Sequence, residues 1–384
     1  MGSKMYALIG SWGFEEKEKG LSVYRYNPKN ATLDYLETSF VDVSVGQQWV
    51  DNGLVYVVDE RDSRRGEIGG GGYVLAIRVD PQNGTLRLVN KKESLLSNPS
   101  YIWVDQSQKY AVVAHHGGRG HVTKIVQKED GSFGSQTLFD DAALVLFRLN
   151  DDGSMGDVCD VLIAPTNDTP ENNTASHLHS VIADPSGKLW LACDKGKDRI
   201  YAYRLDTGRG KLQFLMETPV EKGSAPRYGV FHPFLPVFYE NNEQNPFLCS
   251  YRFDVETGKL TRMEKLPLVA EHHALENEEK AQSSDIVMHP SGKYLYTALR
   301  GVNQIAVVEI FSEGGTRLLQ NIDCHGINPR GLCLSPDARY LFSLNLQSDN
   351  VCVFSISENG TLIFTGMNMT VSSPGNMKFL CVSF

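Results

Sequence analysis

Four prolines set the frame of this chain. Pro185, Pro233, Pro290 and Pro336 each follow a short apolar run and each opens a turn, and they lie 48, 57 and 46 residues apart. The stretch from Gly331 to Phe364 shows the repeating unit most plainly. Gly331-Leu-Cys-Leu334 reads as a strand. Ser335-Pro336-Asp337 reads as a turn, because proline presets φ and aspartate accepts hydrogen bonds from the backbone ahead. Tyr340–Leu344 reads as a second strand. Asn350–Ile356 alternates polar and apolar residues, as a strand with two unlike faces does. Asn359-Gly360 is a hairpin signal, since both residues tolerate positive φ, and Thr361–Phe364 closes the unit. A four-stranded unit recurring every roughly 40–50 residues is the pattern of a propeller blade.

Six blades follow from this reading, at about Gln47–Glu93, Asn98–Leu162, His177–Glu217, Pro226–Lys265, Ser283–Gln320 and Asn328–Gly366. The two ends supply a seventh. Pro374–Val382 reads as an inner strand with nothing after it, and Tyr6–Gly10, Leu21–Tyr26 and Leu33–Glu37 as strands two to four with nothing before them. Joining them closes the ring and removes two sheet edges that would otherwise be open to pairing. The expectation is an all-β chain, residues 1–384 forming one seven-bladed β-propeller domain. An insertion over residues 117–141, with a strand-like pair around Thr123–Val126, interrupts the third blade. Residues 165–176 read as a polar loop, and Gly69–Gly72 as a blade loop. The latter is no phosphate cradle, since no strand-loop-helix frame surrounds it.

Composition narrows the function. A formal net charge of −9, with no basic stripe, argues against a nucleic-acid partner. No run of about 18 apolar residues suggests a membrane span. Seven cysteines, five of them (Cys193, Cys249, Cys333, Cys352 and Cys381) inside apolar runs, read as small buried thiols in a reducing compartment. With no apolar leader at the start, a cytoplasmic protein is expected, and Asn83-Gly84-Thr85 is then turn chemistry. Met1-Gly2-Ser3-Lys4, ahead of Met5, reads as a cloning remnant. No cysteine spacing or acidic cluster calls for a metal, and no cofactor is expected.

Polar residues that fall at one comparable point of successive units converge on one end of a propeller channel. His177, His179, Arg227 and Glu243 are placed in that way. His232 and His289 precede turn prolines and belong to the opposite end. His272-His273, in an acidic stretch, reads as surface.

These strings also carry a resemblance. His177-Leu-His179-Ser180 through Gly187, Asp198-Arg199-Ile-Tyr-Ala-Tyr203, Ala225-Pro226-Arg227 before Phe231-His232-Pro233, Asn242-Glu243, Asp285–Tyr296 with Arg300, and Asn328-Pro329-Arg330-Gly331 are similar to the propeller lactonases. That family includes bacterial 6-phosphogluconolactonases and fungal carboxymuconate-lactonising enzymes. The resemblance is strong from His177 onward and weaker before it. It implies a catalytic set of His179, Arg227 and Glu243, with Arg300, His177 and Arg330 as substrate-binding residues. The substrate it implies is a small lactone. The chemistry suits these types: an imidazole or carboxylate takes a proton from attacking water, and guanidinium groups hold an oxyanion or a substrate anion. Two positions depart from the family, Tyr228 where relatives often carry histidine, and Gln244-Asn245-Pro246 after the glutamate. Lactone hydrolysis is the expectation. Lactonisation of a carboxymuconate-type acid and a non-catalytic interaction scaffold are the alternatives. Oligomeric state is left open.

Overall fold

In the computed structural model, which describes residues 3–13, 20–64, 66–164, 174–269 and 281–383, the repeat folds into seven four-stranded sheets and one two-stranded hairpin. The inner strands are β4 (Val45–Asp51), β8 (Pro99–Val104), β14 (Leu178–Ala183), β18 (Pro226–Phe231), β22 (Gln282–Met288), β26 (Pro329–Leu334) and β30 (Pro374–Ser383). Each packs against the next around the ring, and β30 returns to β4. Blade starts lie within two residues of those read from the sequence. The closing sheet pairs β30 with β1 (Ser3–Ser11), followed outward by β2 (Gly20–Asn27) and β3 (Thr32–Ser39). Ser3 and Lys4 take part in this closure, opposite Ser383 and Val382.

Burial on both faces of the second strands explains why the blades stack. In Leu189–Asp194 (β15) every residue is buried, because both faces of a second strand meet a neighbouring blade. Trp190 and Phe238 are fully buried between blades, and each buried side chain of the Leu, Val or Phe class contributes roughly 1.5–3 kcal/mol. The tyrosines serve the same contact. Tyr56, Tyr239 and Tyr296 are buried on second strands and donate their hydroxyls to Gly153, Gly314 and Gly360 of the following blade, at 2.8, 2.9 and 3.0 Å. Gly360 has φ of 82° and a Cβ there would meet the Tyr294 ring at 2.3 Å, so this turn demands glycine twice over.

The insertion is a hairpin of β10 (His121–Gln127) and β11 (Phe133–Phe139), set between the second strand, β9 (Tyr110–His115), and the third, β12 (Ala143–Leu149), of its blade. Much of the 165–176 loop, and His272-His273, lie outside the described residues. His232 and His289 sit at the far end of the ring: His232 Nδ1 accepts from the backbone of Phe234 and Leu235, and its Nε2 meets Gly292 of the next blade. Cys193, Cys249, Cys333 and Cys352 are buried free thiols, but Cys381 is exposed. The expectation of burial fails there because Cys381 lies near the end of β30, opposite Met5 close to the start of β1, where the sheet runs out.

One buried group gives the fold a pH dependence. Glu240, on β19 (Val237–Asn242), is fully buried between blades. Neither carboxylate oxygen has a well-aligned hydrogen-bond partner among the described residues. Burial pushes its carboxyl up to about 8 from the ordinary 4.5. A raised carboxyl contributes stability that is whole below the unfolded-state value and is lost as pH rises through the folded one. Wild type should therefore lose stability between about pH 4.5 and 8. Glu240→Gln should equal wild type near pH 4.5 and exceed it by a few kcal/mol, on the order of one per unit crossed, at pH 9. Urea melts of both proteins at the two pH values check this; a gap that does not widen with pH refutes it.

Candidate active site

Each inner strand carries a β-bulge near its start, and the bulges build the site. Register shifts fall between Val45 and Gln47, Leu178 and Ser180, Pro226 and Tyr228, and Pro329 and Gly331. The residues at those points are Gly46, His179, Arg227 and Arg330. A bulge adds one residue and re-aims its side chain, so His179, Arg227 and Arg330 turn toward the channel. A second set comes from the residue that follows each second strand. Glu60, His116, Lys195 and Glu243 each donate a backbone N–H to the segment before an inner strand, to Ser44, Asn98, His177 and Ala225 respectively. Trp12 and Leu346 do the same to Ser373 and Asn328. Arg300 ends the second strand of its blade, β23 (Tyr294–Arg300).

These positions surround a cavity of about 410 Å³ at one mouth of the channel. His179, Arg227, Glu243, Arg300 and Arg330 all line it, as do Glu60, His116, Lys195, Trp12, Asp62, Asn98 and Arg119. His177 does not. It stacks behind His116, with ring centroids 4.2 Å apart, and its Nδ1 meets the His116 carbonyl at 2.8 Å. His177, expected to bind substrate, instead buttresses His116 in this structure. Its separation from His179 follows from the bulge, which breaks the alternation that would put both on one face.

Glu243 is the electrostatic centre. Its two oxygens accept from Lys195 Nζ at 3.1 and 3.0 Å, Oε2 accepts from Arg227 Nε at 3.1 Å, and Arg300 Nη2 lies 3.5 Å from Oε1. Burial alone would raise its carboxyl, but Lys195, Arg227 and Arg300 together hold it far below the usual carboxylate range. Glu243 is therefore ionised at any working pH. Burial, opposed by Glu243 and aided by Arg227, brings Lys195 down to about 8.

Arg227 is 1% exposed. It donates to the Ser284 carbonyl at 2.5 Å and lies over the Tyr228 ring at 4.5 Å, while Ser180 Oγ donates to its own carbonyl at 2.9 Å. The His179 ring meets Tyr228 edge-on at 5.0 Å, and its Nδ1 is buried with no hydrogen-bond partner among the described residues. Tyr228, the departure from the family pattern, thus supports both His179 and Arg227. Burial first, then Arg227 and Lys195, push the His179 imidazole well below its ordinary value, which leaves it neutral and able to accept a proton. Arg330 stacks over Trp12 at 4.3 Å and reaches Glu60 Oε2 at 3.3 Å.

Glu60, His116 and Lys195 were not singled out in the sequence. The available signal was the position of Glu243, one residue beyond a second strand, which recurs in each blade. Among the described residues no group of three or more His, Cys, Asp or Glu is arranged to hold a metal ion.

Residues 6–384 match a family profile described as lactonase, 7-bladed beta-propeller. A 6-phosphogluconolactonase of Formosa agariphila is 23% identical, covering 98% of this chain and 99% of that protein. A 6-phosphogluconolactonase of Bacillus subtilis is also 23% identical, over 97% of this chain and 94% of that one. Among solved structures, the periplasmic gluconolactonase PpgL of Pseudomonas aeruginosa superposes with a TM-score of 0.83 at 21% identity, covering 100% of both chains.

Proposed function

We propose, from the premise that the chain belongs to the seven-bladed β-propeller lactonase family, that it hydrolyses sugar-acid lactones, with 6-phosphogluconolactone as the substrate best matched to its site. The observation that carries this reading is a neutral, buried imidazole set beside a cluster of guanidinium and ammonium groups in one cavity. Hydrolysis needs a base for water and positive charge where the carbonyl oxygen becomes an oxyanion.

His179 is assigned the base. Glu243, clamped by three cations, is too weakly basic to take a proton, and acts by holding Lys195, Arg227 and Arg300 in place. Arg300 is assigned the oxyanion or a substrate carboxyl-side oxygen. Its Nη2 is held only by long contacts, 3.4 Å to the Ser283 carbonyl and 3.5 Å to Glu243, so its donors remain available. Arg119, exposed at the rim, makes no ion pair with a described carboxylate, and is assigned a phosphate at the far end of the sugar acid.

Titration of the acid released from freshly generated 6-phosphoglucono-δ-lactone tests the reading. Wild type should accelerate it above the spontaneous rate. Arg119→Ala should raise KM for the phosphorylated lactone by about tenfold, the equivalent of one charge-assisted hydrogen bond, and leave unphosphorylated glucono-δ-lactone unchanged. Equal KM changes for both lactones would remove Arg119 from phosphate recognition. No acceleration of either lactone would overturn the proposed function and return the lactonising and scaffold alternatives.

A further inference from the structure

Glu60 faces Glu243 across the channel. It follows the second strand β5 (Leu54–Asp59) of the blade that begins at β4, three blades back from that of Glu243. Its side chain is 12% exposed, and it fills a space that the bulge ring leaves open. Where the inner strands two and three blades on carry His179 and Arg227, this one carries Gly46, and a Cβ there would lie 2.6 Å from Glu60 Oε2 and 2.8 Å from Glu60 Cβ. The glycine thus admits a carboxyl to the cavity at a position where the blades of His179, Arg227 and Arg330 present a larger side chain.

The two carboxyls are held differently. Glu243 has three cations in contact, whereas among the described residues Glu60 has one ion-pair partner, Arg330 Nη2 at 3.3 Å. We propose that Glu60 is a catalytic residue of this site, the acid that delivers a proton to the ring oxygen of the lactone as the acyl C–O bond breaks. The proposal rests on the lactonase reading above. Charge around Glu60 comes from Arg330 on β26, Arg227 on β18 and Lys195 beyond β15, with the Trp12 indole beyond β1 and Asp62 on its own loop. Burial outweighs the three cations and the indole, and its carboxyl is raised above the ordinary 4.5. Two carboxyls in one site, one held low by its cations and one raised by burial, is an arrangement that suits charge-holding and acid roles.

The step balances as follows. Water oxygen bonds to the carbonyl carbon while one water proton passes to His179, giving a tetrahedral oxyanion. The carbonyl re-forms, the bond from carbon to the ring oxygen breaks, and its electron pair takes the proton of Glu60. The product is the open-chain acid with a free hydroxyl. The proton on His179 returns to Glu60 through water, and the product acid releases its own proton to solvent.

Glu60→Gln preserves volume and can still accept from Arg330. It should lower kcat by about 100-fold, within the range for loss of one general acid, with KM changed by no more than about threefold. In wild type, kcat should fall on the alkaline side as Glu60 loses its proton. In the variant that limb should vanish. Retention of kcat within about threefold, a loss confined to KM, or an unmoved alkaline limb would overturn the proposal and leave Glu60 as a support for Arg330. Infrared difference spectra of wild type against Glu60→Gln give a readout free of turnover. A protonated-carboxyl band that Glu60→Gln removes should persist in wild type to a pH above the ordinary carboxyl value of 4.5, and its absence there also overturns the proposal. A wild type that shows the band but hydrolyses no lactone instead sinks the lactonase reading.

Discussion

Glu243→Gln is expected to cost the protein both stability and turnover. The change leaves Lys195, Arg227 and Arg300 without the carboxylate they converge on. Arg227 is almost wholly buried, and removing one partner of a buried ion pair typically costs about 3–5 kcal/mol, because the remaining charge has no solvent to return to. A depressed carboxyl contributes stability above its unfolded-state value and loses it as pH falls through the folded one. The deficit should therefore be present from about pH 5 upward. It should shrink as pH rises, because without Glu243, which holds Lys195 up to about 8, the ammonium sheds its proton at lower pH and one uncompensated charge disappears. Denaturant melts at pH 6 and pH 9 would show this as a larger gap at the lower pH. Turnover should fall at least about 100-fold, the scale set by loss of a preorganised oxyanion donor, since Arg300 and Lys195 lose their anchor. The double variant Glu243→Gln with Lys195→Met should recover part of the stability and none of the turnover. A single variant as stable as wild type at pH 6 would mean that the cations disperse into solvent, and that Glu243 is not the anchor described.

The blades were legible because their punctuation is chemical. Pro185, Pro233, Pro290 and Pro336 stop an inner strand, and residues such as Asn359-Gly360 force a hairpin, so blade starts appeared to within two residues. The ring closure was legible for a different reason: an unpartnered inner strand at one end and three outer strands at the other have one economical solution. The site was legible only in part. Glu243 stood out because Asn242-Glu243 follows an apolar strand and belongs to a family string. Glu60, in Asp59-Glu60-Arg61, and Lys195, in Asp194-Lys195-Gly196, look like ordinary loop charge. What distinguishes them is register, the single residue after a second strand whose N–H is committed to the preceding segment. The bulges were invisible to a period-two reading. Strict alternation would give His177 and His179 the same face, and the extra residue at His179 separates them, leaving one in the cavity and the other behind His116.

Asymmetry in an otherwise repetitive ring is what makes the site chemical. The bulge position carries Gly46, His179, Arg227 and Arg330 in different blades, and the following-strand position carries Trp12, Glu60, His116, Lys195, Glu243 and Leu346. The backbone geometry is shared, so substitutions at these two positions alter the pocket without altering the fold. This is why fold and function part company in such rings, where chemistry follows the side chains rather than the blade count.

His179→Asn carries the largest expected effect on turnover alone. The asparagine keeps a polar group of similar reach but has no basic nitrogen to accept a proton from water. His179 is buried against Tyr228 and His116, and it makes no ion pair among the described residues, so its replacement should leave stability within about 1 kcal/mol, the range of a single neutral hydrogen bond. Loss of a general base lowers kcat by about 10²–10⁴-fold. The pH dependence separates this from a packing defect. Burial and the neighbouring cations push the wild-type imidazole well below its ordinary 6.5, so wild-type kcat/KM should stay level from neutral pH down through 6.5 and fall only under more acid conditions. In His179→Asn that acid limb should be absent, and the residual rate should instead rise with hydroxide concentration. A variant that retains the wild-type acid limb would transfer the base to another group of the cavity, with His116 first in line because its Nε2 is also buried and unbonded among the described residues.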